Sequence, residues 1–298
     1  MAPIEQIQQG VEAGNFLALA KAISAIENNA DQSTQFLESL RPSSVPIIGI
    51  TGPPGAGKST LIAALIQDWV EAGKRIAVLS VDPSSPFHQG AILGDRIRMR
   101  EWYLHPQVFI RSLASRGHLG GLNSTTIELT TLLQCAGFDI IILETVGVGQ
   151  SEVEVAALAD TTLVVLVPEA GDDIQMMKSG LMEVADIFVV NKSDRPDAGA
   201  FAAHIKQMLL ENHATDTSVV QTIASQKEGM DELVKAIQDH QTKASHQSSK
   251  QRLMLSKTMQ LIVAKKMQQL EYAAIEAALA KAMQASSFNI FEFAKQYY

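Results

Sequence analysis

A glycine-rich run that ends in a lysine and a serine has the clearest chemistry in this sequence. It fits the spacing G-x-x-x-x-G-K-[ST], in which the glycines let the backbone curl around phosphates, the lysine reaches the β- and γ-phosphates, and the hydroxyl reaches Mg²⁺. The positive end of a following helix would add to phosphate binding. The motif predicts a phosphate site built from Gly52, Pro53, Pro54, Gly55, Ala56, Gly57, Lys58, Ser59 and Thr60.

A second motif indicates which base accompanies the phosphates. Asn191, Lys192 and Asp194 fit the pattern N-K-x-D. The Asp194 carboxylate can accept hydrogen bonds from N1–H and the 2-amino group of guanine, whereas adenine offers neither donor. These residue types are also common in turns, so the motif alone could be a strand-to-helix turn. Together with the phosphate motif it predicts GTP binding, with the guanine carbonyl contacted by backbone N–H groups of Ile223, Ala224 and Ser225.

Three acidic residues are candidates for a Mg²⁺ site. Glu144 ends an apolar run and begins Glu-Thr-Val-Gly, which resembles the D-x-x-G element that holds Mg²⁺ through water and senses the γ-phosphate. Asp82 leaves the second predicted strand, and Asp95 follows it. Carboxylates at strand ends that face the phosphate site can complete an oxygen shell around Mg²⁺. A helix cap and a surface charge are the alternatives for Asp82 and Asp95.

The group that orients the attacking water is less clearly marked. In small GTPases a glutamine follows the D-x-x-G glycine and orients this water. Val148 occupies that position here, and Gln150 lies two residues further on. Gln150 could swing inward to take the role, which makes it a catalytic candidate. Arginines and a histidine could reach the γ-phosphate or a partner, or could lie on a solvated surface: Arg96, Arg98, Arg100 and His118.

Alternating short apolar runs and amphipathic segments must position these residues. This pattern predicts an α/β fold, a P-loop NTPase with a mostly parallel, doubly wound sheet and helical extensions at both ends. We expect a helical arm at 1–44, a GTPase domain at 45–239, and a linker with helices at 240–298 that could dimerise. The predicted strands are Pro46–Thr51, Arg75–Val81, Val108–Ser112, Asp139–Thr145, Thr161–Val167, Asp186–Asn191 and Ser218–Thr222.

Composition excludes several classes of protein. The formal net charge of −8 and the isoelectric point near 5.4 argue against nucleic acid or an anionic membrane as the main partner. The longest apolar runs are far below the roughly 18 residues that a membrane-spanning helix needs. The N-terminus lacks the layout of a signal peptide, and the single cysteine, Cys135, fits a reducing cytoplasm.

The motifs together resemble those of the methylmalonyl-CoA-mutase-associated GTPases, which are G-protein chaperones. Besides the elements above, the resemblance covers Asp82–Pro86, Ile92–Arg96, Arg116–Leu122 and Glu144–Gln150. It implies that Lys58 binds phosphate and that Mg²⁺ is served by Ser59, Asp82, Asp95 and Glu144. It also implies segments that respond to nucleotide, at about Asp82–Met99, Gly147–Val155 and Val167–Lys178.

The partner implied by this resemblance is an adenosylcobalamin-dependent acyl-CoA mutase, with the cobalamin on the partner and a homodimer of this chain. Three features depart from the family pattern: His88, Gln89 and Gly90 replace a small residue and two glycines, Ile223 replaces the usual serine before Ala224, and the region after His240 looks short. One class of alternative is a metallochaperone GTPase, which one cysteine and seven scattered histidines disfavour. Another is a transport-coupled or kinase-like P-loop ATPase.

Overall fold

The structure is a computed structural model that describes residues 4–28, 33–82, 99–114, 124–145, 155–169, 182–214, 216–244, 262–263 and 272–282. Within these residues a single seven-stranded sheet has the order β3-β2-β4-β1-β5-β6-β7. Every neighbouring pair of strands is parallel. The strands are β1 Ile47–Thr51, β2 Ile76–Asp82, β3 Val108–Ala114, β4 Ile140–Thr145, β5 Thr161–Leu166, β6 Ile187–Asn191 and β7 Ser218–Thr222.

Helices precede the sheet, connect its strands and follow it. The helix after β1 begins at Lys58, within the phosphate motif and directly after Gly57. A 3₁₀ turn at Arg100–Trp102 precedes β3. Among the described residues the helices are α1 Ile4–Glu12, α2 Phe16–Glu27, α3 Ser33–Ser39, α4 Lys58–Glu71, α5 Ser124–Leu133, α6 Met182–Val184, α7 Ala198–Glu211, α8 Met230–Ala244 and α9 Tyr272–Ala282.

The parallel, doubly wound α/β architecture predicted from the sequence is confirmed. Each predicted strand is present, with bounds that differ by at most two residues. The agreement is good because central parallel strands are buried on both faces and appear in the sequence as short, continuous apolar runs. β1, β5 and β6 are buried along their whole length.

Alternate residues of the strands build the core on both faces of the sheet. On one face, Ile47, Leu79 and Leu143 pack with α2 and α5. On the opposite face, Ile48 and Ile142 belong to a cluster that includes residues of α4 and α8. This alternation follows from the two-residue period of a strand. It places the helix that follows the phosphate motif against the second face.

The N-terminal helices pack directly on the sheet domain, and the Arg75 side chain contacts both. Its guanidinium donates to the carbonyl oxygens of Gly14 at 3.0 Å and Gly137 at 3.1 Å. The same group lies 5.7 Å and 5.5 Å from the ring centroids of Phe16 and Phe138, within cation–π range. These contacts bind the turn between α1 and α2 to the beginning of β2.

The helix before the C-terminal region continues past the predicted boundary at residue 239. α8 ends at Ala244, inside the stretch that its polar composition suggested as a linker. His240 explains the extension, because its Nδ1 lies 2.9 Å from Thr161 Oγ1 and its Nε2 lies 3.2 Å from Asp186 Oδ1. These contacts hold the last turns of α8 against the amino ends of β5 and β6. Across the described residues no helix is both long and apolar enough to cross a membrane.

Candidate nucleotide site

The candidate residues lie where the strands end. Because all strands are parallel, their carboxyl ends share one edge of the sheet, which is where α/β proteins of this kind bind ligands. The phosphate motif follows β1 in the centre, Asp82 ends β2, Glu144 is the last residue but one of β4, and Asn191 ends β6. The fold therefore brings together residues that are far apart in the sequence.

The phosphate motif forms a tight loop that only glycine permits at two positions. Gly52 has φ +136°, and a Cβ there would lie 2.1 Å from the carbonyl oxygen of Val165 on β5. Gly57 has φ +91°, and a Cβ there would lie 2.4 Å from Nδ2 of Asn191. Both contacts are far below the van der Waals distance. The loop thus depends on glycine both for its conformation and for close approach to β5 and Asn191.

Lys58 is in the first turn of α4, and its side chain folds back onto this loop. Its Nζ donates to the carbonyl oxygens of Gly52 at 2.7 Å and Pro53 at 3.0 Å, and the residue is 7% exposed. The ammonium group is therefore held inside the loop, at the positive end of the helix dipole. A buried cation in this position favours a strongly anionic ligand.

The serine hydroxyl of the motif contacts the acidic residue of β4. Ser59 Oγ donates to Glu144 Oε1 at 3.1 Å, and both residues are buried. A hydroxyl and a carboxylate are oxygen ligands of the kind that Mg²⁺ prefers, so this pair fits a magnesium site. Asp82 lies at the same edge of the sheet. Asp95 and Gln150 lie outside the described residues, and their predicted roles stay predictions.

Asn191 ties three loops of the site together. Its Nδ2 donates to the Ala56 carbonyl oxygen at 2.8 Å, and its Oδ1 accepts from Thr222 Oγ1 and from the Ala224 amide, each at 3.2 Å. The phosphate loop, the loop after β6 and the loop after β7 are thereby fixed relative to one another. The sequence patterns contain no signal for Thr222, whose role depends on pairing between β6 and β7.

Replacing Asn191 by alanine should destabilise the fold and weaken nucleotide binding together. The change removes three hydrogen bonds from a buried position, so we expect the free energy of unfolding to fall by about 2–4 kcal/mol. Urea unfolding and titration with GTP measure the two effects. Asn212→Ala, at an exposed position where the amide bonds to the Met208 carbonyl, is the matched control. If the free energy of unfolding of Asn191→Ala lies within about 0.5 kcal/mol of wild type, Asn191 does not hold the three loops together.

The base-recognition motif forms the turn after β6. Lys192 adopts φ +57°, and its Nζ donates to the Gly55 carbonyl oxygen at 2.7 Å. Its side chain therefore crosses from this turn to the phosphate loop. Asp194 is exposed in the same turn, which is compatible with its predicted role as the acceptor for guanine. Nearby, Arg195 forms an ion pair with Glu169, which follows β5.

The loop after β7 differs in detail from the prediction for the guanine carbonyl. The Ile223 amide donates to the Glu228 carbonyl oxygen at 3.0 Å, and the Ala224 amide donates to Asn191. A guanine carbonyl would have to share or displace these acceptors. Ser225 is exposed at the end of the same loop and remains a candidate donor.

Other predicted features lie largely outside the described residues. Arg96, Arg98 and His118 are among them, as are residues 83–98, 146–154 and 170–181, which include most of the segments predicted to respond to nucleotide. Arg100 is described, and it is exposed in the 3₁₀ turn before β3.

Comparison with known proteins identifies a family of GTPases. A family model described as methylmalonyl-CoA mutase-associated GTPase MeaB matches residues 19–278. A protein of Pyrococcus horikoshii named as a GTPase is 42% identical over 248 residues, covering 80% of this chain and 78% of that protein. The Escherichia coli GTPase ArgK is 39% identical over 252 residues, covering 80% and 75%.

A solved structure agrees in fold over the whole chain. The crystal structure of an LAO/AO transport system kinase has a TM-score of 0.69 and 26% identity, covering 100% of this chain and 97% of that one. The family match and the relatives named as GTPases agree with each other, and the solved structure agrees with the α/β fold. This chain belongs to the family of methylmalonyl-CoA mutase-associated GTPases, and it is a P-loop GTPase.

Proposed function

We propose that this GTPase is a chaperone that gates the loading or protection of the cofactor of an adenosylcobalamin-dependent acyl-CoA mutase, with methylmalonyl-CoA mutase as the first candidate. The observation that carries the proposal is the match to a mutase-associated GTPase family over residues 19–278. The cobalamin would be bound by the mutase and not by this chain.

Within this function the described residues take distinct roles toward GTP. The backbone of the phosphate loop and Lys58 hold the phosphates, and Asp194 selects guanine. Lys192 and Asn191 hold the base-recognition turn against the loop. Lys58 bonds two loop carbonyls in this structure, which holds its ammonium group over the loop, where phosphate oxygens of GTP can accept hydrogen bonds from it.

Ser59 and Glu144 would hold Mg²⁺ with help from Asp82 and Asp95. When bound, the ion would neutralise charge that develops on the phosphate oxygens during transfer to water. Ser59 and Glu144 already contact each other, so the protein's oxygen donors are placed before the ion arrives. Preorganisation of this kind reduces the cost of ordering side chains on binding.

Hydrolysis should depend on the partner, because the position that orients water in small GTPases is Val148. An aliphatic side chain cannot hydrogen-bond the nucleophile. Either Gln150 or a group of the partner must supply this contact. GTP would then persist until the mutase is engaged, which suits a protein that checks the state of a client.

The oligomer and the location of the protein belong to the same proposal. We infer a homodimer that forms through residues 240–298, an N-terminal arm at 1–44 beside the GTPase domain at 45–239, and action in the cytoplasm. The acidic net charge of −8 supports a protein partner in preference to nucleic acid or an anionic membrane.

Single-turnover hydrolysis with and without purified methylmalonyl-CoA mutase tests the gating. We expect a basal rate well below about 1 s⁻¹ that rises at least about tenfold with the mutase. Gln150→Ala should abolish the stimulation if the water-orienting group lies in this chain, whereas Gln207→Ala on the exposed face of α7 should not. A basal rate of about 1 s⁻¹ or more that ignores the mutase would contradict gating.

Two alternative functions are separated by other measurements. A metallochaperone GTPase for metal insertion would copurify with bound nickel or zinc and with a metalloenzyme. A transport-coupled or kinase-like P-loop ATPase would bind ATP at least as tightly as GTP. Copurification from the native cell, followed by metal analysis and identification of the bound protein, distinguishes both from a mutase chaperone.

A further inference from the structure

Glu144 is held by a second hydroxyl that the GTPase motifs do not include. Ser80 Oγ donates to Glu144 Oε2 at 3.0 Å, while Ser59 Oγ donates to Oε1 at 3.1 Å. Ser80 lies directly opposite Glu144 in the parallel pairing of β2 and β4. Both residues are buried. One oxygen of the carboxylate thus contacts the phosphate-loop helix, and the other contacts the neighbouring strand.

The length of the glutamate side chain makes this second contact important. Glutamate has one methylene more than the aspartate of a D-x-x-G element, and therefore one more torsion to restrict. A hydrogen bond to a charged group is stronger than one between neutral groups, and in a buried setting it fixes the orientation of the carboxylate. Ser80 supplies that bond from β2, an internal strand that pairs with β3 on one side and with β4 on the other.

We propose that Ser80 is a positioning residue for the Mg²⁺ site: it holds the carboxylate of Glu144 so that Oε1 faces the Ser59 hydroxyl. This inference rests on the proposed GTPase site and assigns to it a residue from β2. Ser80 itself does not touch the nucleotide or the metal in this assignment. Its effect is transmitted through the orientation of Glu144, as for residues that support metal ligands elsewhere.

The test compares Ser80→Ala with Ser112→Ala. Ser112 is the partner of Ser80 in the pairing of β2 and β3, so the control removes the same group from the same row of the sheet, one strand further from Glu144. Mg²⁺ is titrated into each protein with a non-hydrolysable GTP analogue, and calorimetry gives the half-saturating Mg²⁺ concentration. We expect Ser80→Ala to raise this concentration roughly tenfold and Ser112→Ala to leave it unchanged.

Two further measurements separate positioning from a general loss of structure. First, the Kd of Ser80→Ala for the analogue in EDTA should differ from that of wild type by less than about twofold. Second, when Glu144→Gln is already present, adding Ser80→Ala should shift the half-saturating Mg²⁺ concentration by less than about twofold. If Ser80→Ala does not fold, Ser80→Cys, which keeps the shape of the side chain with a larger atom that donates weakly, takes its place with the same expectation.

The outcomes distinguish this inference from the proposed function. A Mg²⁺ titration of Ser80→Ala that matches wild type and Ser112→Ala would overturn the role of Ser80 and leave the GTPase site intact. If Ser80→Ala shifts the half-saturating Mg²⁺ concentration equally with and without Glu144→Gln, the role of Ser80 is also overturned, because its effect would then not depend on Glu144. If wild type itself shows no Mg²⁺-dependent binding of the analogue, the proposed site fails, and this inference fails with it.

Discussion

Lys58→Ala should abolish useful binding and hydrolysis of GTP while leaving the fold intact. In the structure this ammonium group lies over the phosphate loop and donates to the backbone carbonyls of Gly52 and Pro53. Its removal takes away the charge that meets the phosphates and little apolar packing. Wild type should gain about 2.7 kcal/mol of stability at GTP concentrations one hundred times Kd. The variant should gain almost none.

Thermal melting with and without nucleotide, together with circular dichroism, measures this effect. Lys206→Ala removes the same charge from an exposed position on α7, and it should keep the full nucleotide-dependent shift. If Lys58→Ala shows the wild-type shift in melting temperature and the wild-type turnover, the phosphate loop does not bind the nucleotide.

Asp194→Asn should convert the preference for guanine into one for xanthine. The carboxylate of Asp194 accepts hydrogen bonds from two donors of guanine, whereas an asparagine amide can donate to the carbonyl that xanthine has in place of the 2-amino group. Loss of this charged pairing should weaken GTP binding by about 100-fold or more, as a site left with mismatched polar groups rejects its ligand. Xanthosine triphosphate should bind the variant more tightly than GTP does.

Competition between the two nucleotides for a fluorescent analogue gives the ratio directly. Asp197→Asn is the matched control, because it makes the same change in the same loop, at a position whose φ of +64° asparagine tolerates. Equal GTP affinity in wild type and Asp194→Asn would remove the assignment of Asp194 as the reader of guanine.

Much of the fold is predictable from the sequence because the signals are local. The buried strands β1, β4 and β5 are short apolar runs bounded by polar turns, and their predicted bounds match the structure closely. The phosphate loop and the base-recognition turn depend on residue types at fixed spacing, so they too are visible in the sequence. Both follow strands, as their chemistry requires.

The contacts that organise the site are less predictable because they depend on strand order. Ser80 meets Glu144 only because β2 pairs with β4, and Thr222 meets Asn191 only because β7 pairs with β6. Apolar periodicity does not specify either pairing. The extension of α8 past residue 239 has the same origin, since His240 is held by residues of β5 and the loop before β6. Polar composition alone suggested a linker there.

The most direct test of the account is a competition titration of wild-type protein with GTP and ATP, in Mg²⁺ and in EDTA. The phosphate loop, the Ser59–Glu144 pair and the Asp194 turn lie at one edge of the sheet, so we expect one site that requires guanine and is strengthened by Mg²⁺. ATP should compete at least about 100-fold more weakly than GTP, and EDTA should weaken GTP binding. If ATP binds as tightly as GTP, or if the affinity for GTP is the same in Mg²⁺ and in EDTA, this chain does not have a guanine-specific site that uses Mg²⁺.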